Sequence, residues 1–87
     1  MKTIAVFRKY PEGEVIALFP FLNEESGDAN RGMCMSYMQV GQHGEADYDG
    51  VIRDTKPAAD WEVEDLAGEL AGIGYELDIR ARKPLQQ

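Results

Sequence analysis

The chain has 87 residues, which is enough for one small domain and excludes a second. Its 16 acidic residues outnumber the 9 basic ones, and the net charge of −7 argues against direct nucleic-acid binding because phosphate would be repelled. The single cysteine excludes an internal disulfide, and the sequence shows neither a signal peptide nor an apolar run of membrane-spanning length. We therefore expect a cytoplasmic protein with no membrane partner.

Two apolar runs near the N-terminus predict a β-hairpin. They span residues 3–7 and 15–19, and between them Pro11 and Gly13 suit the first central and the left-handed positions of a tight turn. Both runs are apolar on successive residues instead of alternating ones. Both faces of the sheet should therefore be at least partly covered.

A third strand is predicted over residues 34–40, after a polar, glycine-punctuated surface loop at residues 23–32. Alternation puts Cys34 and Ser36 on one face of this strand and Tyr37 on the other.

Residues 41–57 permit two interpretations. Tyr48, Val51, Ile52 and Thr55 have the spacing of one face of a short helix, whereas the dipeptide at residues 49–50 is a strong turn signal whose glycine weakens a helix. The segment is therefore either a short helical turn or irregular cover for the sheet.

Helical periodicity returns over residues 58–73. The apolar stripe consists of Val63, Leu66, Ala67, Leu70 and Ile73. Gly74 then suits the left-handed position of a helix stop, with Tyr75 folding back on Leu70 in a Schellman motif. Residues 75–82 alternate and predict a final strand that lies toward an edge of the sheet.

These elements predict an α+β fold of order β-β-β-α-β, in which one helix packs on one face of an antiparallel meander sheet. A single helix covers only one face, so something else must cover the apolar residues on the other. The candidates are residues 41–57 and a second copy of the chain, which makes homodimerisation a hypothesis.

No convergent set of residues predicts a catalytic, cofactor or metal site. The acidic stretch at residues 45–49 has the spacing of a calcium loop, but Lys56 stands where the closing glutamate should be. Cys34 and His43 are too few for a zinc site and too far apart on a strand to act as a nucleophile and its base. Cys34 is better explained as a small buried apolar residue.

One candidate ligand site lies at the predicted turn that follows the third strand. Gln42 and His43 stand between two glycines, where the backbone can approach a ligand closely, and Tyr37 precedes them on the strand. The alternative, which we favour, is that His43 only caps backbone groups of the turn.

The outer face of the predicted helix is a candidate partner-binding surface. Trp61, Asp65 and Glu69 follow one another at intervals of four residues and combine a large aromatic ring with unpaired acids. In the simpler interpretation, which we favour, Trp61 folds onto the preceding loop and the cations at residues 80–83 neutralise the acids.

Several segments together resemble a family of small bacterial proteins with no assigned function, associated with gut bacteria and mobile elements. They are residues 6–9, 14–20, 36–38, 40–44, 69–70 and 73–75. The topology is also similar to the partner-neutralising domain of HicB antitoxins. However, residues 19–23 (Phe-Pro-Phe-Leu-Asn) replace that family's Pro-Asp-Leu-Pro-Gly segment, so the resemblance implies a topology and no functional residue.

The leading functional hypothesis is a non-enzymatic module that binds a protein partner or a second copy of itself. The alternatives are a small-ligand binder or enzyme that uses the Gln42-His43 turn, and an acidic mimic of nucleic acid.

Overall fold

The structure, a computed structural model, describes residues 2–22, 33–38 and 43–82. The strands are β1 (Thr3–Lys9), β2 (Val15–Phe19), β3 (Met33–Tyr37), β4 (His43–Asp47), β5 (Lys56–Pro57) and β6 (Leu77–Arg80). The helices are α1 (Tyr48–Asp54) and α2 (Asp60–Gly72). The predicted α+β class is confirmed, whereas the predicted loop at residues 23–32 lies outside the described residues. Within the described ranges, no helix is long and apolar enough to cross a membrane.

The sheet is built on an antiparallel meander in the order β4-β3-β2-β1. The outer side of β1 is shared by two short strands: β6 runs parallel to it along Thr3–Val6, and β5 pairs antiparallel with Arg8 and Lys9. The predicted meander and the edge position of the last strand are confirmed. The structure adds β4 and β5, and shows that the last strand pairs in parallel.

The turn between β1 and β2 has the predicted chemistry. Gly13 adopts a φ of 110°, which disfavours any residue with a side chain, and its N–H donates to the Tyr10 carbonyl at 2.9 Å. The Tyr10 N–H in turn donates to the Glu14 carbonyl at 2.8 Å, which closes the hairpin.

Helix α2 covers one face of the sheet, which we call the α2 face. The buried residues of its core are Ala5, Phe7, Ala17, Phe19, Tyr37, Leu66 and Leu70. The helix ends in the predicted Schellman motif, since Gly74 has a φ of 112° and the Tyr75 N–H donates to the Leu70 carbonyl at 3.1 Å. The prediction for Ile73 is wrong, because it caps the helix end and remains 54% exposed.

Helix α1 covers the opposite face, the α1 face. The buried residues there are Val6, Ile16, Leu18, Cys34 and Val51, with Tyr48 and Ile52 packed against them. The helical interpretation of residues 48–55 is therefore confirmed, and this segment is the cover that the apolar strands require. Arg8 ties the helix end to the sheet: its guanidinium donates to the Thr55 carbonyl at 2.7 Å and to the Thr55 hydroxyl at 3.0 Å.

Candidate functional site

A groove lies beside α2, between the helix, the β1–β2 turn and the end of β3. Its volume is about 310 Å³. The lining residues are Gly13, Glu14, Val15, Met38, Trp61, Glu62, Asp65, Leu66 and Glu69. We call it the α2 groove. It contains all three residues that the sequence predicts for partner binding, and it brings them beside residues of the hairpin.

Trp61 stands at this groove with 68% of its surface exposed. The interpretation in which it folds onto the preceding loop is therefore wrong. Arg80 does not neutralise the helix acids either, because its guanidinium binds Asp78 through contacts of 2.9 and 3.0 Å. An exposed indole flanked by carboxylates is a surface on which a cationic group can stack.

Glu62 anchors the start of α2 and one wall of the groove. Its Oε2 lies 2.8 Å from the Lys9 ammonium, and its Oε1 accepts the Ala59 N–H at 2.8 Å. The hydrogen bond from Lys9 is the main cause that holds the pKa of the Glu62 carboxyl below its ordinary value of 4.5, and the bond from the Ala59 backbone adds to it. The carboxylate stays charged and fixes the helix to β1.

Glu69, near the end of α2, is held in place by a tyrosine of β3. The Tyr37 hydroxyl donates to Glu69 Oε2 at 2.5 Å, and Tyr37 is itself only 1% exposed. A hydroxyl that donates to a carboxylate forms a short, charge-assisted bond, so the Glu69 side chain has a fixed place at the groove. The residues that the sequence assigned to two separate sites, Tyr37 and Glu69, are thus joined.

His43 begins β4 and contacts two tyrosines. Its ring meets the edge of Tyr37 with centroids 4.6 Å apart, and its Nε2 lies 3.1 Å from the Tyr75 hydroxyl. Tyr75 in turn stacks on Phe19 at 5.1 Å. His43 is exposed on an edge strand, but Tyr37 is buried and cannot face a ligand directly. Gln42, the third residue predicted for a ligand site here, lies outside the described residues.

Cys34 and His43 lie on opposite faces of the sheet, so they cannot act together as a nucleophile and its base. Cys34 pairs with Ala46 and is buried on the α1 face, whereas His43 pairs with Tyr37 on the α2 face. Its explanation as a buried apolar residue is confirmed. Among the described residues, no group of three or more histidine, cysteine or acidic side chains could hold a metal ion.

The charged residues that line the α2 groove are all acidic. Lys9 neutralises Glu62, but within the described part of the chain neither Glu14 nor Asp65 has an ion-pair partner. The groove therefore combines an apolar wall, formed by Val15 and Leu66, with an exposed indole and with carboxylates that are available to a cation from outside the chain.

The sequence did not identify Glu14, Val15, Met38 or Glu62 as parts of this site. Glu62 carries the one local signal, because a glutamate at the third helical position commonly reaches back to the N-cap backbone. Here the N-cap is Ala59 instead of a serine or threonine, and that hides the motif. The other three residues reach the groove through the pairing of the strands, which only the fold determines.

Comparison with models of protein families, with curated proteins and with solved structures finds no match to this chain. The resemblances to a small bacterial family and to HicB antitoxins stay predictions, as does the nucleic-acid mimic. The function has to be argued from the geometry of the groove.

Proposed function

We propose that the protein is a non-enzymatic binding module that receives a basic segment of a partner protein in the α2 groove. The observation that carries the proposal is the placement of Trp61, which leaves 68% of its surface exposed beside a groove whose charged lining is entirely acidic. An exposed tryptophan that contributes little to its own core is typical of binding surfaces, where aromatic residues dominate the energetics.

The groove suits an arginine or lysine side chain. The aliphatic part of such a side chain can lie against Val15 and Leu66, while its cation stacks on the Trp61 ring and meets the Asp65 carboxylate one helical turn further on. A volume of about 310 Å³ has room for one or two long side chains and not for a folded domain. The expected partner therefore presents a flexible or protruding segment.

The walls of the groove are organised before a partner arrives. Lys9 holds Glu62 at one end, and the Tyr37 hydroxyl holds Glu69 at the other. Because these carboxylates are already ordered, binding does not have to immobilise them, and less conformational entropy is lost. The net charge of −7 adds a long-range attraction for a basic partner and speeds its approach.

The proposal can be tested with hexa-arginine as the probe and the emission of Trp61 as the signal, since the chain has one tryptophan. We expect saturable binding by hexa-arginine and no binding by hexa-glutamate. Calorimetry should show that Trp61→Ala weakens binding by about 10-fold, because the stacking surface is removed. Asp65→Asn should weaken it by about 5-fold, since one charged contact becomes neutral.

The matched control is Glu64→Gln, which removes the same charge from an exposed helix residue that does not line the groove. It should bind hexa-arginine as tightly as the wild type. Equal losses for Asp65→Asn and Glu64→Gln would show only general electrostatic attraction, and failure of hexa-arginine to bind would overturn the proposal.

A further inference from the structure

The outer edge of β6 has a charge pattern that is complementary to itself. The segment from residue 76 to residue 82 reads Glu-Leu-Asp-Ile-Arg-Ala-Arg, with Ile79 at its centre. Acids stand one and three positions before the centre, bases stand one and three positions after it, and apolar residues occupy the positions between. When two copies of the segment run antiparallel with their Ile79 residues opposite each other, every acid of one copy therefore lies opposite a base of the other.

The fold leaves this segment at an edge. Among the described residues, β6 pairs only with β1, and it does so along one side. The Thr3 N–H donates to the Glu76 carbonyl at 2.7 Å, so the backbone groups of Glu76 point toward β1. By strand alternation Leu77 and Ile79 direct their backbone N–H and C=O groups outward, where they can pair with another strand.

We infer that two copies of this chain associate through β6, as an antiparallel pair of strands with the two-fold axis at Ile79. In this register the two Ile79 residues exchange backbone hydrogen bonds, and Asp78 of each copy faces Arg80 of the other. A two-fold interface repeats each contact, so two ion pairs of this kind form. The inference is independent of the proposed function, since no residue that lines the α2 groove belongs to β6.

The side chains on the two faces of the joined strands also agree with this pairing. On the α2 face the two Ile79 side chains meet, and each is 48% exposed in the single chain. On the α1 face Asp78 and Arg80 already bind each other within one chain, at 2.9 and 3.0 Å, and can exchange partners across the axis.

The opposite edge of the sheet lacks this property. An antiparallel pair centred on β4 would oppose Glu45 of one copy to Glu45 of the other, and centring it on Ala46 would oppose Glu45 to Asp47 twice. Like charges directly opposite each other destabilise a strand pair. The pattern of β6 is therefore specific to that edge.

Light scattering tests the inference directly. At about 100 μM protein, a concentration suited to the modest affinity of a small interface, we expect a mass approaching twice that of the chain. A mass of one chain at about 1 mM would overturn the inference.

Charge reversal makes the test specific to the register. Asp78→Arg and Arg80→Asp each place like charges opposite each other and should weaken the dimer by about 10-fold. An equimolar mixture of the two variants should recover it, because each then presents the charges that the other lacks. Circular dichroism establishes that both are folded, and folded variants that stay monomeric when mixed would contradict the assigned register.

Two further variants separate β6 from the rest of the surface. Ile79→Pro removes an outward N–H at an edge, where proline is tolerated, and should abolish the dimer without unfolding the chain. Glu45→Arg reverses one charge at the β4 edge and should leave the dimer unchanged. Loss of the dimer in Glu45→Arg but not in Ile79→Pro would place the interface at the other edge and overturn the inference.

Discussion

The two faces of the sheet are covered in different ways. On the α2 face a helix of 13 residues buries Leu66 and Leu70 in a core that also takes residues from three strands. On the α1 face a helix of only seven residues contributes Val51 and is tied down at its end by the Arg8 guanidinium. Helices that short are not stable alone, so a charged hydrogen-bond donor replaces part of the missing apolar contact.

The two helices also differ in the residues that they expose. Helix α1 contributes Val51 to its core, and none of its own residues is an exposed aromatic. The longer α2 extends past its buried residues, and its first turn holds Trp61 at the groove beside the hairpin. Of the two helices, α2 is thus the one that places an exposed indole beside a groove.

The largest effect should come from the core of the α2 face. Leu70 is fully buried, so Leu70→Ala leaves a cavity and should lower the free energy of unfolding by about 3 kcal/mol. Denaturant unfolding measures this loss. Leu22→Ala removes the same atoms from a half-exposed site and should cost less than about 1 kcal/mol. Similar losses for the two variants would contradict the assigned core.

The next largest effect on stability should come from Arg8, whose guanidinium joins the end of α1 to the sheet. Arg8→Gln removes the bonds to Thr55 and should destabilise the protein by about 1–2 kcal/mol. Amide hydrogen exchange should quicken more in α1 than in α2, because the short helix depends on this contact. Arg53→Gln, which alters an exposed cation of the same helix, is the control. Equal acceleration in both helices after Arg8→Gln would contradict a local role.

A smaller, pH-dependent effect on stability is expected from Glu62, which anchors the start of α2. The folded-state pKa of Glu62 lies below its ordinary value of 4.5, so its contribution to stability is present above that value and is lost as the pH falls through the folded-state pKa. Glu62→Gln should therefore lose less stability than the wild type on acidification. Lys9→Met should reduce the acid dependence in the same way, because it removes the main cause of the shift. An unchanged acid dependence in Glu62→Gln would exclude this ion pair as its source.

The smallest effect on stability is expected at Trp61, on which the proposed function depends. Trp61→Ala should change the free energy of unfolding by no more than about 0.5 kcal/mol, because its side chain is mostly exposed. Chemical denaturation followed by circular dichroism measures this without the tryptophan signal. A loss as large as that of Leu70→Ala would mean that Trp61 belongs to the core and not to a binding surface.

The elements with local signals could be predicted from the sequence. The hairpin follows from Pro11 and Gly13, and the end of α2 follows from Gly74 and Tyr75, because turn and cap geometry depend on neighbouring residues. The sequence permits both a helix and a turn at α1, because Gly50 weakens a helix. In the structure a Cβ at Gly50 would lie 2.7 Å from an Asp47 carboxylate oxygen, so the glycine makes room for that side chain.

The candidate site was predictable only in part. Trp61, Asp65 and Glu69 share a flank of one helix, and helical periodicity alone relates them. The bond from Tyr37 to Glu69 joins residues 32 positions apart, and the ion pair of Lys9 with Glu62 joins the first strand to the second helix. Such contacts depend on how the sheet is ordered, which local patterns do not determine.

The most direct test of the proposed binding module is an NMR titration of the labelled protein with hexa-arginine, because it compares the two faces in one experiment. We predict that the indole N–H signal of Trp61 and the backbone amides of Gly13 and Leu66 shift progressively and saturate. The amides of Val51 and Arg53 on α1 should remain in place. An indole signal that does not move, or shifts spread equally over both faces, would contradict the assignment of the α2 groove as the binding site.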